Sequence, residues 1–231
     1  SNIIRQRDNY TDTAKQQDIV RAEKEMIANG IVGVGDICNT GDTLEQKQKE
    51  NLKYYNFIET FEVDVKKVDV VFNKAKELRD TFRAAGEKAS IVPHAPYSVP
   101  PILMSKINNA FDENDELLTI HMQETKEENE LFENKRGAFL DWLNSMNAST
   151  DVWENRNKSI SVLEELKDKK IFLVHNTFAK KEDITTNYYC TCPKANLYIE
   201  NTLPDYSIFD VDKLCVGTDS LASNNSLSIL E

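Results

Sequence analysis

The sequence predicts an α/β fold of the (β/α)8 TIM-like barrel class, present here in incomplete form. Short apolar runs of strand length alternate with segments of helical periodicity along the chain. Strands joined by crossover helices run parallel, and a parallel sheet within one domain forms either a doubly wound sheet or a barrel. Neither a GxGxxG sequence nor a P-loop is present to favour the doubly wound sheet.

Seven apolar runs are the strand candidates, and they recur at the density of a barrel. They cover residues 31–37, 54–61, 89–93, 117–121, 171–175, 188–192 and 214–218. A barrel of about 250 residues has about 31 residues in each βα unit. Seven strands in 231 residues fit this density with one unit absent, so a truncated barrel is expected.

Helical patterns fill the intervals between these strands. Residues 14–26 carry apolar side chains on one face before Asn29-Gly30, and residues 64–85 do so before Gly86. Ser98 is the expected N-cap of a helix over residues 100–111. Shorter helical segments are predicted over residues 137–146, 159–166 and 227–230, with the polar residues 147–158 as one excursion from the barrel. We treat residues 1–231 as a single domain.

The composition excludes several classes of partner. The 28 Lys and Arg residues against 39 Asp and Glu residues give a net charge of -11, which disfavours binding to nucleic acid. The apolar runs are far shorter than the roughly 20 residues of a membrane span. The first twenty residues contain no apolar segment typical of a signal peptide. A cytoplasmic protein with no membrane partner is expected.

The four cysteines are too few for a disulfide scaffold in a chain of 231 residues. We expect them to be buried and reduced. Cys190 and Cys192 point the same way on a strand and could chelate a soft metal ion. Without a second Cys or His pair, such a pair more often packs inside a barrel, and we interpret it as structural.

The three histidines of the chain each end a predicted strand. His94, His121 and His175 follow the apolar runs at 89–93, 117–120 and 171–174. The carboxyl ends of parallel barrel strands converge on one mouth, where active sites are built. One such histidine would more often be structural, but three at the same position favour a shared site.

Two carboxylates accompany the histidines, and the residues alone leave their roles open. Asp219 follows the last predicted strand, where a helix N-cap and a metal ligand are equally plausible interpretations. Glu124 lies three residues after His121, within reach of a water molecule on a metal ion. It also fits a solvated first helical turn, which acidic residues favour.

Five ordered motifs resemble those of the amidohydrolase superfamily. The likeness is to the branch that contains cytosine deaminase, the S-adenosylhomocysteine and methylthioadenosine deaminases and the triazine chlorohydrolases. The motifs are His94-Ala-Pro-Tyr-Ser98, His121-Met-Gln-Glu-Thr125, Val174-His-Asn-Thr177, Cys192-Pro-Lys-Ala-Asn196 and Gly217-Thr-Asp-Ser-Leu-Ala-Ser-Asn224.

The resemblance implies a role for each candidate residue. His121 and Asp219 resemble ligands of one divalent metal ion, zinc or iron, and Asp219 also takes a proton from the water on that ion. Glu124 resembles the acid/base that protonates the leaving nitrogen, and His175 the histidine that orients the activated water. In the substrate pocket, His94 resembles a contact residue, and Ser220 and Asn224 resemble residues that shape the last loop.

The implied activity is hydrolysis of a non-peptide C–N bond, by which a nucleobase, nucleoside or related heterocycle is deaminated. The partners expected are a small-molecule substrate and a possible homo-oligomer. The family's first strand ends in a His-x-His pair that supplies two further ligands, and this sequence contains no such pair. The β-sandwich that flanks the barrel in the family is also missing.

The missing pair leaves a second hypothesis open. Two ligands hold zinc poorly, so the chain by itself is expected to be inactive. The alternative function is a catalytically silent fragment or degenerate homologue that serves as a binding or structural module. Without the first strand, the strands at 31–37 and 214–218 become unpaired edges, which favours self-association or pairing with another segment.

Overall fold

The computed structural model describes residues 11–112, 117–166 and 169–230. Seven parallel strands form its centre, as the sequence predicts. They are β1 (Gly33–Cys38), β2 (Lys53–Thr60), β3 (Lys88–Pro93), β4 (Leu118–Met122), β5 (Ile171–His175), β6 (Tyr188–Thr191) and β7 (Leu214–Val216). The expectation about a signal peptide falls partly on residues 1–10, which lie outside the described residues.

The strands form two parallel ladders that follow the order of the chain. One ladder joins β1, β2 and β3, and the other joins β4, β5, β6 and β7. Between the ladders, the Ser90 hydroxyl donates to the main-chain oxygen of Leu117 over 2.7 Å. The backbone N–H of His121 donates to the oxygen of His94 over 2.9 Å. Strand β4 therefore lies beside β3, and the sheet has the arrangement of a (β/α) barrel.

The two terminal strands of this arrangement are paired on one side. Among the described residues, β1 pairs only with β2 and β7 pairs only with β6. The residues described therefore show no ladder between β1 and β7. That the barrel lacks a strand stays a prediction.

The α-helices of the described residues are α1 (Asp12–Ala28), α2 (Leu44–Lys47), α3 (Val68–Ala84), α4 (Pro101–Ala110), α5 (Lys126–Asn134), α6 (Ala138–Ser145) and α7 (Pro193–Glu200). Helix α1 precedes β1, and the others lie between successive strands, although only a 3-10 helix lies between β5 and β6. Short 3-10 helices lie at Val65–Lys67, Thr150–Val152, Ser159–Leu166, Lys181–Asp183, Tyr206–Ile208 and Val211–Lys213. No helix in the described part of the chain has the length and apolar character needed to cross a membrane.

Helix α3 follows the apolar periodicity of the predicted helix at residues 64–85. Val68, Ala75 and Phe82 are buried along one face, while the opposite face is charged. Gly86 follows the helix with φ 89°, a conformation that glycine adopts without strain. The predicted helix end is therefore confirmed.

Two details of the helix prediction are wrong. Pro100, without a side-chain bond, is the N-cap of α4, whereas the Ser98 hydroxyl donates to the main-chain oxygen of Ala95. Residues 227–230 are not helical, because the hydroxyls of Ser226 and Ser228 accept backbone N–H groups in successive turns.

The main core lies between the strands and the helices. It includes the buried side chains of Ile58, Val92, Leu103, Ile120 and Leu173. A second core lies under the excursion predicted at 147–158 and includes Tyr97, Leu131, Phe132, Leu143 and Trp153. These two cores fix the carboxyl ends of the central strands in relation to one another.

Candidate active site

The three histidine side chains meet at the carboxyl ends of β3, β4 and β5. The ring centroids of His94 and His121 lie 4.9 Å apart, and those of His121 and His175 lie 5.4 Å apart. Asp219, three residues beyond β7, joins them across the mouth of the sheet. The structure therefore brings together the four residues that follow the predicted strands.

Left-handed backbone is concentrated where these strands end. His121 pairs with Val174 in the β4–β5 ladder, so a regular strand would point His175 away from His121. The positive φ of His175, 72°, turns its ring towards His121. Gln123 and Asp219 also have positive φ values, 48° and 56°. Such residues cost about 1–3 kcal/mol each and persist only where the surroundings hold them.

Hydrogen bonds fix which nitrogen of two imidazoles is free. The Nδ1 atom of His121 lies 2.8 Å from the main-chain oxygen of His94, which only accepts hydrogen bonds. The Nδ1 atom of His175 lies 2.8 Å from the Oδ1 atom of Asn196. Because both Nδ1 atoms donate, both Nε2 atoms carry a free lone pair.

His121, His175 and Asp219 could hold a metal ion. Each offers one ligand atom, and these atoms lie within 4.8 Å of one another. Two imidazole nitrogens and a carboxylate oxygen are ligands that zinc and iron both accept. The hydroxyl of Ser223 donates to the Asp219 carboxylate, a partner that the sequence did not reveal.

Glu59 is a site residue that the sequence analysis missed. With His94 and His121 it forms a second possible ligand group, which shares His121 with the first. Its Oε1 atom lies 3.7 Å from Nδ1 of His121, and its Oε2 atom accepts from Asn39 over 3.3 Å. Burial raises the pKa of Glu59, and His121 opposes this shift. Its place near the end of the predicted strand 54–61 was the available signal.

The two groups differ in how well they suit a metal ion. Glu59 approaches the nitrogen of His121 that already donates to His94, and this nitrogen cannot bind a metal while protonated. The group with His175 and Asp219 is compatible with the free Nε2 atoms. We therefore favour that group.

Glu124 lies beside His175 at the same mouth. Its Oε1 atom is 3.6 Å from Nε2 of His175, and its side chain is 17% exposed. Burial lowers the pKa of His175, while the negative charge of Glu124 opposes the shift. A partly buried carboxylate next to the imidazole of His175 can exchange a proton with a bound molecule.

His94 lies between His121, a member of the favoured ligand group, and the aromatic side chains of Phe61 and Tyr97. Its Nδ1 atom lies 2.7 Å from the Ser98 hydroxyl, and its ring packs edge-on against Phe61 and Tyr97. Burial, followed by repulsion from His121 and His175, lowers the pKa of His94 to about 3. His94 is therefore a neutral imidazole at physiological pH.

Ser220 and Asn224 lie in the loop after β7 and hold its shape. The amide of Asn224 donates to the main-chain oxygen of Thr218 over 2.8 Å, and its Oδ1 atom accepts the N–H of Asn225 over 2.8 Å. Ser220 is exposed and accepts the N–H of Ala222 over 3.3 Å. Contact of either residue with a substrate stays a prediction.

Cys38 and Cys192 are buried and Cys190 is half-buried, whereas Cys215 is exposed, so the expectation of burial is wrong for Cys215. A Cβ atom at Gly217 would lie 2.9 Å from Sγ of Cys190 and 3.2 Å from Sγ of Cys192. Neither possible metal group found among the described residues contains a cysteine. The structural interpretation of Cys190 and Cys192 fits this packing.

Comparisons with known proteins identify the family to which the sequence is similar. A sequence profile of the Amidohydrolase family matches residues 4–231. The aminodeoxyfutalosine deaminase of a Nitratiruptor species is 25% identical over 238 residues, which cover 99% of this chain and 58% of that protein. The adenosine deaminase of Helicobacter pylori is 26% identical over 227 residues, which cover 94% of this chain and 55% of that protein.

A solved structure has the same arrangement of strands and helices. Helicobacter pylori aminofutalosine deaminase superposes with a TM-score of 0.80 at 26% identity. The match covers 93% of this chain and 56% of that chain. The chain thus spans somewhat more than half of the length of the relatives it matches.

Proposed function

Because the chain belongs to the Amidohydrolase family, we propose that its protein is a metal-dependent hydrolase that deaminates an adenosine-like nucleoside. The family resemblance predicted from the five motifs is confirmed. The nucleoside is proposed from the names of the relatives, which are deaminases of aminodeoxyfutalosine and adenosine.

One observation carries the proposal. One ligand atom from each of His121, His175 and Asp219 lies within 4.8 Å of the other two, and the Glu124 carboxylate lies 3.6 Å from Nε2 of His175. Metal ligands beside a carboxylate that does not belong to the ligand group are what hydrolytic deamination requires.

His121 and Asp219 are the residues that we propose as metal ligands. Their nitrogen and oxygen donors fit a divalent ion, and zinc is the ion that we propose. When bound, such an ion lowers the pKa of a water molecule towards 7 and makes it a nucleophile at neutral pH. His175 would orient that water, and the hydrogen bond from its Nδ1 atom to Asn196 holds its ring in one orientation.

The remaining residues handle protons and the substrate. Hydrolytic deamination forms a bond from a water oxygen to a ring carbon and breaks the bond from that carbon to the amino nitrogen, which leaves as ammonia. Asp219 would accept a proton from the water and Glu124 would deliver one to the departing nitrogen, and transfer of the proton from Asp219 to Glu124 would complete the cycle. His94, whose ring packs against that of His121, would contact the substrate. Phe61 and Trp142, each 37% exposed, extend the aromatic surface beside His94 and suit a flat heterocycle.

The proposal extends to the domain organisation, the location and the partners of the protein. We propose that residues 1–231 form one catalytic domain of a barrel that lacks its first strand in this sequence. We also propose a cytoplasmic location, a homo-oligomeric state, and a small molecule rather than a nucleic acid or membrane as the partner. The net charge of -11 supports the exclusion of nucleic acid.

Ammonia release from nucleosides tests the proposed function. The full protein that contains this chain is incubated with adenosine and with aminodeoxyfutalosine, before and after removal of metal by a chelator. The expected result is ammonia release that stops on chelation and returns with added zinc. Absence of ammonia from both nucleosides in the zinc-loaded protein would favour the catalytically silent alternative and overturn the proposal.

A further inference from the structure

We propose that Glu128 is a positioning residue, whose carboxylate holds the turn that directs Glu124 towards His175. This inference rests on the proposed function, because it assigns Glu128 a role through the acid/base Glu124. Glu128 lies in the first turn of α5, one helical turn beyond Glu124, and has no exposed surface.

The two oxygens of Glu128 bind two consecutive backbone groups. Its Oε1 atom accepts the N–H of Gln123 over 2.9 Å, and its Oε2 atom accepts the N–H of Glu124 over 3.3 Å. Both groups belong to the segment in which the chain leaves β4 and enters α5. A single side chain therefore fixes the orientation of two successive peptide units.

The turn needs such support because its backbone is strained. Gln123 has φ 48°, a left-handed conformation that costs a residue with a Cβ atom about 1–3 kcal/mol. Its side chain donates to the Asp183 carboxylate over 2.9 Å, and its main-chain oxygen accepts from Phe178 over 3.1 Å. Glu128 supplies the contacts to the backbone N–H groups.

Helix capping does not account for this arrangement. The sequence Thr125-Lys-Glu-Glu128 has the pattern of a capping box, and the Thr125 hydroxyl accepts the N–H of Glu128 over 3.3 Å. In a capping box the Glu carboxylate would return to the N–H of Thr125. Here it reaches further back, to Gln123 and Glu124. The carboxylate thus acts on the residues before the helix.

The burial of Glu128 is consistent with a dedicated role. Burial raises the pKa of Glu128 to about 7, and the nearby charge of Glu124 adds to the rise. A buried carboxylate is costly unless its hydrogen bonds are satisfied. The strained turn and the buried acid occur at one point, next to the residue proposed to carry the proton.

The consequence for Glu124 is geometric. Its Oε1 atom lies 3.6 Å from Nε2 of His175, and a displacement of about 1 Å at such a position can cost 100-fold in rate. In Glu128→Gln, the new amide group opposes one of the two N–H donors, so that bond is lost while the volume is kept.

Steady-state kinetics of the metal-loaded protein test this role. Glu128→Gln is expected to lower kcat by about 10-fold or more, with KM within about threefold and metal content unchanged. Glu127→Gln, one residue earlier on the same helix, serves as the matched control and is expected to keep kcat. The double variant Glu124→Gln/Glu128→Gln should be no slower than Glu124→Gln, because Glu128 acts only through Glu124. An unchanged kcat in Glu128→Gln, or multiplication of the two effects in the double variant, would overturn the inference.

Amide hydrogen exchange separates this inference from the proposed function. In the unmodified protein, the N–H groups of Gln123 and Glu124 should exchange slowly, and they should exchange faster in Glu128→Gln. Rapid exchange of both groups in the unmodified protein would overturn the inference even if the variant failed to fold. Slow exchange in the unmodified protein would show that the turn forms as described. If the Glu124→Gln variant then kept full activity, the acid/base assignment of Glu124 would be refuted, and with it the positioning role of Glu128.

Discussion

The Nδ1 atom of His121 lies 2.8 Å from the main-chain oxygen of His94. The backbone that follows β3 therefore holds the ring of the histidine on β4 in one orientation. Asn196 does the same for His175 over 2.8 Å. In both rings Nε2 is then the nitrogen left to bind a metal ion, and one ligand atom of each ring lies within 4.8 Å of an Asp219 carboxylate oxygen. The site depends on these outer contacts as much as on the ligands themselves.

Loss of the contact from Asn196 should impair activity without loss of metal. In Asn196→Ala, the ring of His175 is no longer held in one orientation, and turnover is expected to fall by about 10–100-fold. Metal content, measured by mass spectrometry after dialysis, should stay unchanged because His121 and Asp219 remain. Loss of metal in this variant would show that His175 is itself an essential ligand.

Substitutions of Glu124 and His121 should differ in their effects on metal content. Glu124→Gln removes the proton donor, and turnover is expected to fall by about two to four orders of magnitude with the metal retained. His121→Ala should lose metal as well as activity. Equal metal loss in the two variants would mean that Glu124 is a ligand or a structural residue.

Acid should destabilise the metal-free protein through His94. Its pKa is about 3 in the folded state, against an ordinary value of 6.5, because burial disfavours the charged ring. Between these values the unfolded chain binds a proton at His94 that the folded chain does not, so the contribution of His94 to the free energy of unfolding falls as the pH decreases. From pH 7.5 to pH 5 this contribution falls by about 2 kcal/mol. Glu128, whose pKa is raised to about 7, acts in the opposite direction over the same range, so the effect of His94 is read from the difference between variants.

Urea unfolding at the two pH values measures this effect. His94→Gln removes the titrating group, and its stability should fall less between pH 7.5 and pH 5. Ser98→Ala removes the partner of Nδ1 but keeps the ring, so it should retain the acid sensitivity. If all three proteins lost the same free energy between the two pH values, His94 would not be the source.

The packing of Gly217 offers a test of the cysteine interpretation. A Cβ atom there would lie 2.9 Å from Sγ of Cys190, and we expect Gly217→Ala to lower the free energy of unfolding by about 1–3 kcal/mol. Gly41→Ala is the control, since its nearest neighbour would be an ordinary 3.7 Å away. The added change Cys190→Ala should restore part of the loss. A stable Gly217→Ala protein would refute this packing.

Much of the fold could be predicted because its signals are local. The seven strands are apolar runs whose limits in the structure differ from the predicted limits by three residues or fewer. Each histidine follows such a run, so parallel topology alone brings their ends together. The helix predicted at 227–230 failed because the serine hydroxyls there offer the backbone hydrogen bonds other than those of a helix.

The remainder of the site depends on contacts between distant segments. Glu59 is one of many acidic residues in the chain, and only the register of β2 places it next to His121. The hydroxyl of Ser223 donates to the Asp219 carboxylate across a turn in which Asp219 has a left-handed backbone. The residue types in this segment do not predict that turn. Glu128 resembles a capping residue in sequence, and its actual partners appear only with the fold.

Cobalt(II) binding tests the central claim that His121 and Asp219 hold a divalent ion. Visible absorption reports the ion directly, so the measurement does not depend on substrate or turnover. Titrations compare the unmodified protein with His121→Ala and Asp219→Asn, and use Glu59→Gln and Cys190→Ser as controls.

We expect the affinity for cobalt to fall by about tenfold or more in His121→Ala and Asp219→Asn. Glu59→Gln and Cys190→Ser should bind cobalt as the unmodified protein does, since the proposed ligand set uses neither side chain. Equal affinity in the unmodified protein, His121→Ala and Asp219→Asn would contradict the claim. Loss of affinity in Glu59→Gln alone would show that the ion binds instead to the group of Glu59, His94 and His121.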